Sequence, residues 1–134
     1  MQKLSLEEKI YLMSGLRTME EGRKSIQKMV NTHSNEVPYR AGGIDGKVPP
    51  VLFADGTKGV VCDRKTYTCF PVESMRGASF DPMLEKEIGE AIGAEVLLAG
   101  ANLFGGVCVN LPYHPGWGRA QETFGEDPYL LGEM

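Results

Sequence analysis

Behind Asp81-Pro82, the apolar residues Leu84, Ile88, Ile92, Val96 and Ala99 recur at mostly four-residue spacing until Gly100 ends the pattern. Asp81 is a favoured N-cap residue, proline suits the first helical position, and the spacing makes one continuous apolar stripe, so a helix is predicted from Pro82 to about residue 99. Two apolar runs flank it, each too short for a helix. Val51–Ala54 lies between Pro50 and the Asp55-Gly56 turn, and Leu103–Val109 follows the helix. Short continuous apolar runs suit strands buried on both faces. A strand, a helix and a second strand in this order fit a βα unit of a parallel sheet.

Further on, Asp127-Pro128 repeats the cap-and-proline start of a helix, so the order continues as β, α, β, α with polar residues just after each strand. The expected fold class is therefore α/β, and the repeating order is one that the N-terminal portion of an incomplete (β/α)8 TIM-barrel-type domain would have. A complete barrel needs roughly 250 residues, whereas the chain has 134. Residues 1–134 are expected to be one partial domain, truncated at its C-terminal end. An intact small domain of another α/β type is the alternative.

The N-terminal stretch is less regular. Ser5 and Glu8 have capping-box spacing, Leu6, Ile10 and Met13 fall on one helical face, and Gly15 supplies a stop. Thr18 and Glu21 repeat that spacing ahead of Ile26, Met29 and Val30, a second helix that Gly22 weakens by roughly 1 kcal/mol relative to alanine. From Asn31 to Pro50, prolines, glycines and asparagine interrupt every period, and a long surface loop is predicted. Gly89 and Gly93 are expected to pack closely against a strand.

Charge and composition remove several function classes. A net charge of -4, with no dense cluster of Lys and Arg, offers no footprint for nucleic acid. No apolar run spans a bilayer, and Met1 is not followed by a signal-peptide core, so no membrane partner and a cytoplasmic location are expected. The two histidines and three cysteines lack Cys-x-x-Cys or His-Glu-x-x-His spacing, so neither a metal nor another cofactor is expected. Cys62, Cys69 and Cys108 are an odd number and are read as reduced, partly buried thiols, with a Cys62–Cys69 bridge as the minor alternative.

Several ordered motifs carry a family resemblance. They are Leu4-Ser5-Leu6-Glu7-Glu8-Lys9-Ile10, Asp55-Gly56-x-x-Gly59, Cys69-Phe70-Pro71 and Ala78-Ser79-Phe80-Asp81. The most specific is Asn110-Leu111-Pro112-Tyr113-His114-Pro115-Gly116-Trp117-Gly118-Arg119, followed by Glu122-Thr123-Phe124-Gly125-Glu126-Asp127-Pro128-Tyr129. In this order they resemble glycoside hydrolase family 3. The resemblance implies a (β/α)8-type barrel and retaining hydrolysis, in which an aspartate nucleophile and a second carboxylic residue flank the scissile bond. The family's nucleophile lies in a Ser-Asp-Trp-like motif, yet Trp117, the one tryptophan, follows Gly116. The family's sugar-gripping Lys-His pair is also missing, because neither His33 nor His114 follows a lysine. No catalytic residue is therefore assigned to this chain.

Two positions match substrate-binding residues of the family. Asp55 matches an aspartate that accepts from sugar hydroxyls, and an ionised carboxylate can take two such donors at once. Arg119 matches an arginine whose planar fork bridges hydroxyls and carboxylates. Without the family context, Asp55 reads as an Asp-Gly turn and Arg119 as half of an ion pair with Glu122 or Glu126. Thr57 and Lys58 stand where many members have Pro and Arg. Trp117 is read as packing its Gly-Trp-Gly loop, His114 as serving local backbone groups, and Glu122 as orienting Arg119. Asp127 is read as a helix N-cap.

The expected full-length activity is that of an exo-acting β-glucosidase acting on a β-glucoside or oligosaccharide. The stretch from Gly118 to Pro128 looks glucosidase-like. β-Xylosidase, β-N-acetylglucosaminidase and a non-catalytic sugar-binding or inert fragment are the alternatives. An incomplete barrel is also expected to self-associate through exposed strand edges.

Overall fold

In a computed structural model, residues 3–14, 39–62 and 65–134 are described. The second helix expected around Thr18–Val30 lies outside them. Helix α1 spans Leu6–Ser14. Its capping box is reciprocal: the Glu8 N–H donates to Ser5 Oγ at 3.1 Å and the Ser5 N–H donates to Glu8 Oε2 at 2.7 Å. The apolar face predicted for this helix is formed but not buried, with Leu6, Ile10 and Met13 all exposed. Local capping sets where a helix starts; burial needs a partner surface, and none among the described residues covers this face.

Strand β1, Tyr39–Ala41, pairs antiparallel with β2, Val51–Ala54, in the register Tyr39 opposite Phe53 and Ala41 opposite Val51. This corrects the expectation of an unbroken loop up to Pro50. The unpaired side of β2 presents a row of backbone donors and acceptors, and three residues suffice to occupy it. A turn at Asp45–Lys47, closed by the Ile44–Val48 bridge, returns the chain to β2.

A short helix α2, Glu73–Gly77, comes next and was not anticipated. Helix α3, Pro82–Leu98, follows as predicted. The Asp81 carboxylate accepts from the N–H groups of Met83 and Leu84, both at 3.1 Å. Between the two helices Phe80 takes a left-handed conformation with φ of 53°. The apolar stripe of α3 forms the core from Ile88 on: Ile88, Ile92, Val96 and Ala99 are buried with Ala54, Val60, Cys62 and Ala101, and Tyr67, Phe70 and Phe104 pack against them. Leu84, in the first turn, stays exposed, which corrects the predicted start of the stripe. Gly89 and Gly93 face outward with open space around them, which corrects the expected strand contact.

Strand β3, Leu103–Phe104, lies parallel to β2, with Phe53 opposite Leu103 and Ala54 opposite Phe104. The predicted parallel β–α–β unit is present within an α/β fold. Both strands are less enclosed than expected, since Val51 is 42% exposed and only Ala54 of β2 is fully buried. One helix packs on the sheet, and one helix cannot cover both faces. Pairing also stops earlier than Val109. Gly105 still donates to the Ala54 carbonyl at 2.9 Å, but Val107 and Val109 are exposed. Glycines weaken a strand by conformational entropy and offer no side chain to pack.

Asn102 extends the β2–β3 junction with its side chain. Its Oδ1 accepts from the Leu52 N–H at 2.8 Å, and its Nδ2 donates to the Pro50 carbonyl at 3.0 Å. A 3-10 turn, Ala120–Glu122, and helix α4, Pro128–Glu133, complete the chain. Asp127 caps α4 by accepting from the Leu130 N–H at 2.8 Å. Among the described residues, no helix is long and apolar enough to cross a membrane.

Candidate functional site

Asp55 follows the last residue of β2 directly. Its carbonyl accepts from the Val61 N–H at 2.8 Å, and its carboxylate accepts from the Gly56 N–H at 2.8 Å. The loop between those anchors turns on Gly56 and Gly59, at φ of 123° and 129°. Residues with a Cβ rarely adopt such angles. A Cβ on Gly56 would also run into the Gly59 carbonyl, and one on Gly59 into the Thr68 carbonyl. The spacing Asp55-Gly56-x-x-Gly59 is therefore a steric requirement of a loop that folds back tightly and leaves the Asp55 side chain exposed at its rim.

Opposite this loop stands the segment around the 3-10 turn. Arg119 reaches Glu122 Oε2 twice, from Nε at 2.8 Å and from Nη2 at 2.5 Å. The bonded guanidinium holds the Glu122 carboxyl below its usual range, and Glu122 in turn pushes the Arg119 guanidinium still higher, so both stay charged. Cys108 completes the group: Arg119 Nη2 donates to its Sγ at 3.8 Å, and its thiol donates to Glu122 Oε2 at 3.7 Å. Burial pushes the Cys108 thiol up, which keeps it a donor.

The two segments line one cavity of 330 Å³, walled by Asp55 to Val61, Tyr67, Thr68, Cys69, Arg119 and Glu122. Helix α3 fixes its third side, because Glu95 accepts from the Thr68 N–H at 3.1 and 3.2 Å and from Thr68 Oγ1 at 2.6 Å. Both sequence-selected residues thus sit on the same cavity. So does Glu122, with which Arg119 forms the ion pair expected of it without the family context. Cys69 is exposed on the cavity wall and is a free thiol, so no bridge joins it to Cys62.

His114 and Trp117 lie outside the residues lining this cavity. His114 Nδ1 accepts from the Gly116 N–H at 3.0 Å and its carbonyl accepts from the Trp117 N–H at 3.0 Å, closing the loop that leads to Arg119. Among the described residues no cluster of His, Cys, Asp and Glu side chains is placed to hold a metal ion.

The chemistry available here is recognition. One exposed carboxylate can accept hydroxyl protons, while a guanidinium locked by Glu122 and Cys108 presents its remaining N–H groups as donors.

Beneath the cavity lies a charged cluster that the sequence reading missed. Arg76 sits between Glu73 and Glu85, with Nη2 3.2 Å from Glu73 Oε1 and Nη1 3.1 Å from Glu85 Oε1. All three residues are buried. Burial pushes both carboxyls above their usual range, against the pull of Arg76. The i,i+3 spacing of Glu73 and Arg76 was visible in sequence; their burial was not, because it depends on α2 docking under the loop after β2.

Residues 11–134 match the model of the glycosyl hydrolase family 3 N terminal domain. The chain is 33% identical to β-glucosidase B of Emericella nidulans, across all of this chain and 14% of that protein. It is 29% identical to the probable β-glucosidase H of Aspergillus flavus, over 98% of this chain and 14% of that protein. The probable β-glucosidase H of Emericella nidulans is 36% identical over 63% of this chain and 11% of its own length. The chain therefore spans about one seventh of the length of the first two of these relatives. No solved structure matches it significantly.

Proposed function

This chain belongs to glycosyl hydrolase family 3, and from that membership we propose that it supplies part of the sugar pocket of an exo-acting, retaining β-glucosidase. The observation that carries the reading is the convergence of Asp55 and Arg119, far apart in sequence, on one cavity. In this reading the cavity holds the terminal glucose, Asp55 accepting from ring hydroxyls and Arg119 donating to them. The fold that presents it is the first part of a (β/α)8 barrel, with Asp55 at the C-terminal end of a strand, where such barrels carry their sites.

Retaining hydrolysis requires two carboxyl groups about 5 to 5.5 Å apart across the scissile bond. Of the carboxylates on this cavity, Glu122 is committed to Arg119 and Asp55 is assigned to binding. The bond-breaking residues are accordingly placed elsewhere in the longer enzyme, and the 134-residue chain alone is expected to hydrolyse nothing.

The test is a panel of chromogenic β-glycosides offered to a protein of the relatives' full length and, separately, to this chain. Fastest turnover of the glucoside by the long protein, with none by the short one, is expected. Preference for the xyloside or the N-acetylglucosaminide would replace the glucosidase reading. Hydrolysis by the short chain that disappears in Asp55→Ala would overturn the assignment of Asp55 to binding alone.

A further inference from the structure

We propose that Arg76 is a positioning residue for the cavity, a single buried guanidinium that fixes both chain segments carrying its polar groups. The Arg76 side chain is only 5% exposed. Its Nη2 donates to the Thr57 carbonyl at 3.3 Å, within the loop that begins at Asp55. The face of the same guanidinium lies over the Phe124 ring, 5.3 Å from its centroid. Phe124 is buried and lies two residues after Glu122, the last residue of the 3-10 turn. Helix α2 presses against the same place, because a Cβ on Gly77 would run into the Phe124 carbonyl. One wall of the cavity is thus tied to Arg76 directly by a hydrogen bond, and the segment that carries the Arg119–Glu122 wall by a cation–π contact at Phe124, just outside the lining.

The geometry asks for arginine specifically. A planar fork can meet Glu73, Glu85 and a carbonyl with its N–H groups while laying its flat face on a ring, and a lysine ammonium has no such face. The cluster is also more charged than packing needs. Two buried carboxyls share one cation; among the described residues Glu73 Oε2, Glu85 Oε2 and Arg76 Nε have no hydrogen-bond partner, and Glu73 Oε1 has only its ion pair with Arg76. A buried ion cluster of this kind is a poor device for stability compared with apolar residues of the same volume. In the proposed role it holds one side chain in one orientation. That the cavity takes a sugar rests on the preceding reading; the coupling of its two walls does not.

The experiment uses the full 134-residue chain, uniformly labelled with 15N. The readouts are the Lys58 amide, which follows the Thr57 carbonyl, and the Arg119 Nε–H, with D-glucose added as the probe. In Arg76→Lys both resonances are expected to move together while the α3 amides from Ile88 to Val96 hold their positions, and the glucose dissociation constant is expected to rise about tenfold. Phe124→Leu leaves all the charges in place and is expected to move the Arg119 signal while sparing Lys58; it decides the question if Arg76→Lys does not fold. An unmoved Arg119 signal in either folded variant would overturn the proposal. Failure of the unaltered chain to bind glucose would count against the sugar reading alone, since the resonances still judge the coupling.

Discussion

Arg119 meets Glu122 through two donors on one oxygen, Nε at 2.8 Å and Nη2 at 2.5 Å, while Cys108 contacts both partners. The Arg119 side chain remains 61% exposed, so this pairing adds little to folding and acts mainly on where the guanidinium points.

Glu122→Gln is therefore expected to leave stability almost unchanged and to weaken glucose binding roughly fivefold, because a neutral acceptor bonds less strongly than a carboxylate. Arg119→Lys loses the planar fork and is expected to cost more. Isothermal titration with glucose, alongside urea unfolding of each variant, checks both. Equal affinities for Glu122→Gln and the unaltered chain would mean that Glu122 does not orient Arg119.

Stability should depend on pH in two opposed ways. Burial raises the carboxyls of Glu73 and Glu85, so the native chain keeps protons that the unfolded chain has released. Their contribution is complete below the ordinary carboxylate value and is lost as pH rises through their raised native values. Glu122 and Glu8 are lowered, chiefly by hydrogen bonds from Arg119 and Lys47 respectively; their contribution is present above the ordinary value and is lost as pH falls through their lowered ones. Urea midpoints followed upward from the ordinary carboxylate value are expected to decline, and Glu85→Gln is expected to flatten that decline. A slope unchanged by Glu85→Gln would remove the buried cluster as its source.

Asp81 accepts from two N–H groups at the start of the helix that carries the core. Asp81→Ala is expected to cost about 1 kcal/mol, with Asp81→Asn recovering most of it. Asp127 caps only the six residues of α4 through one N–H, and Asp127→Ala should cost less. Far-ultraviolet circular dichroism during urea unfolding measures both, and a larger loss at Asp127 would reverse the ranking.

What was legible in the sequence was local or repeated. The capping box of Ser5 and Glu8, the caps at Asp81 and Asp127 and the stripe from Ile88 to Ala99 depend on spacings of a few residues, and each formed as read. The steric demands of Gly56 and Gly59 also left their mark, since a loop that excludes Cβ atoms admits little else. The family resemblance was local in the same sense, resting on ordered short motifs and above all on the stretches Asn110–Arg119 and Glu122–Tyr129.

Other features depended on residues that meet only after folding. Strand β1 exists because β2 had an open side. Asn102 bonds to Leu52, fifty positions away, and nothing in its own neighbourhood announces that. The apolar face of α1 and the outward turn of Gly89 and Gly93 show that an amphipathic pattern states what a helix can bury, not what it does bury.

Sequence alone determined where α1, α3 and α4 begin, that β2 and β3 cross over through α3, and that Asp55 and Arg119 stand at positions matching the family's sugar-binding residues. Tertiary structure alone decided that those two share a cavity and that Arg76 lies buried beneath it between Glu73 and Glu85. The physical reason is range. Caps and periodicities are settled by backbone hydrogen bonds within a turn or two, whereas burial of a charge and convergence of a site depend on which distant surfaces the core brings together.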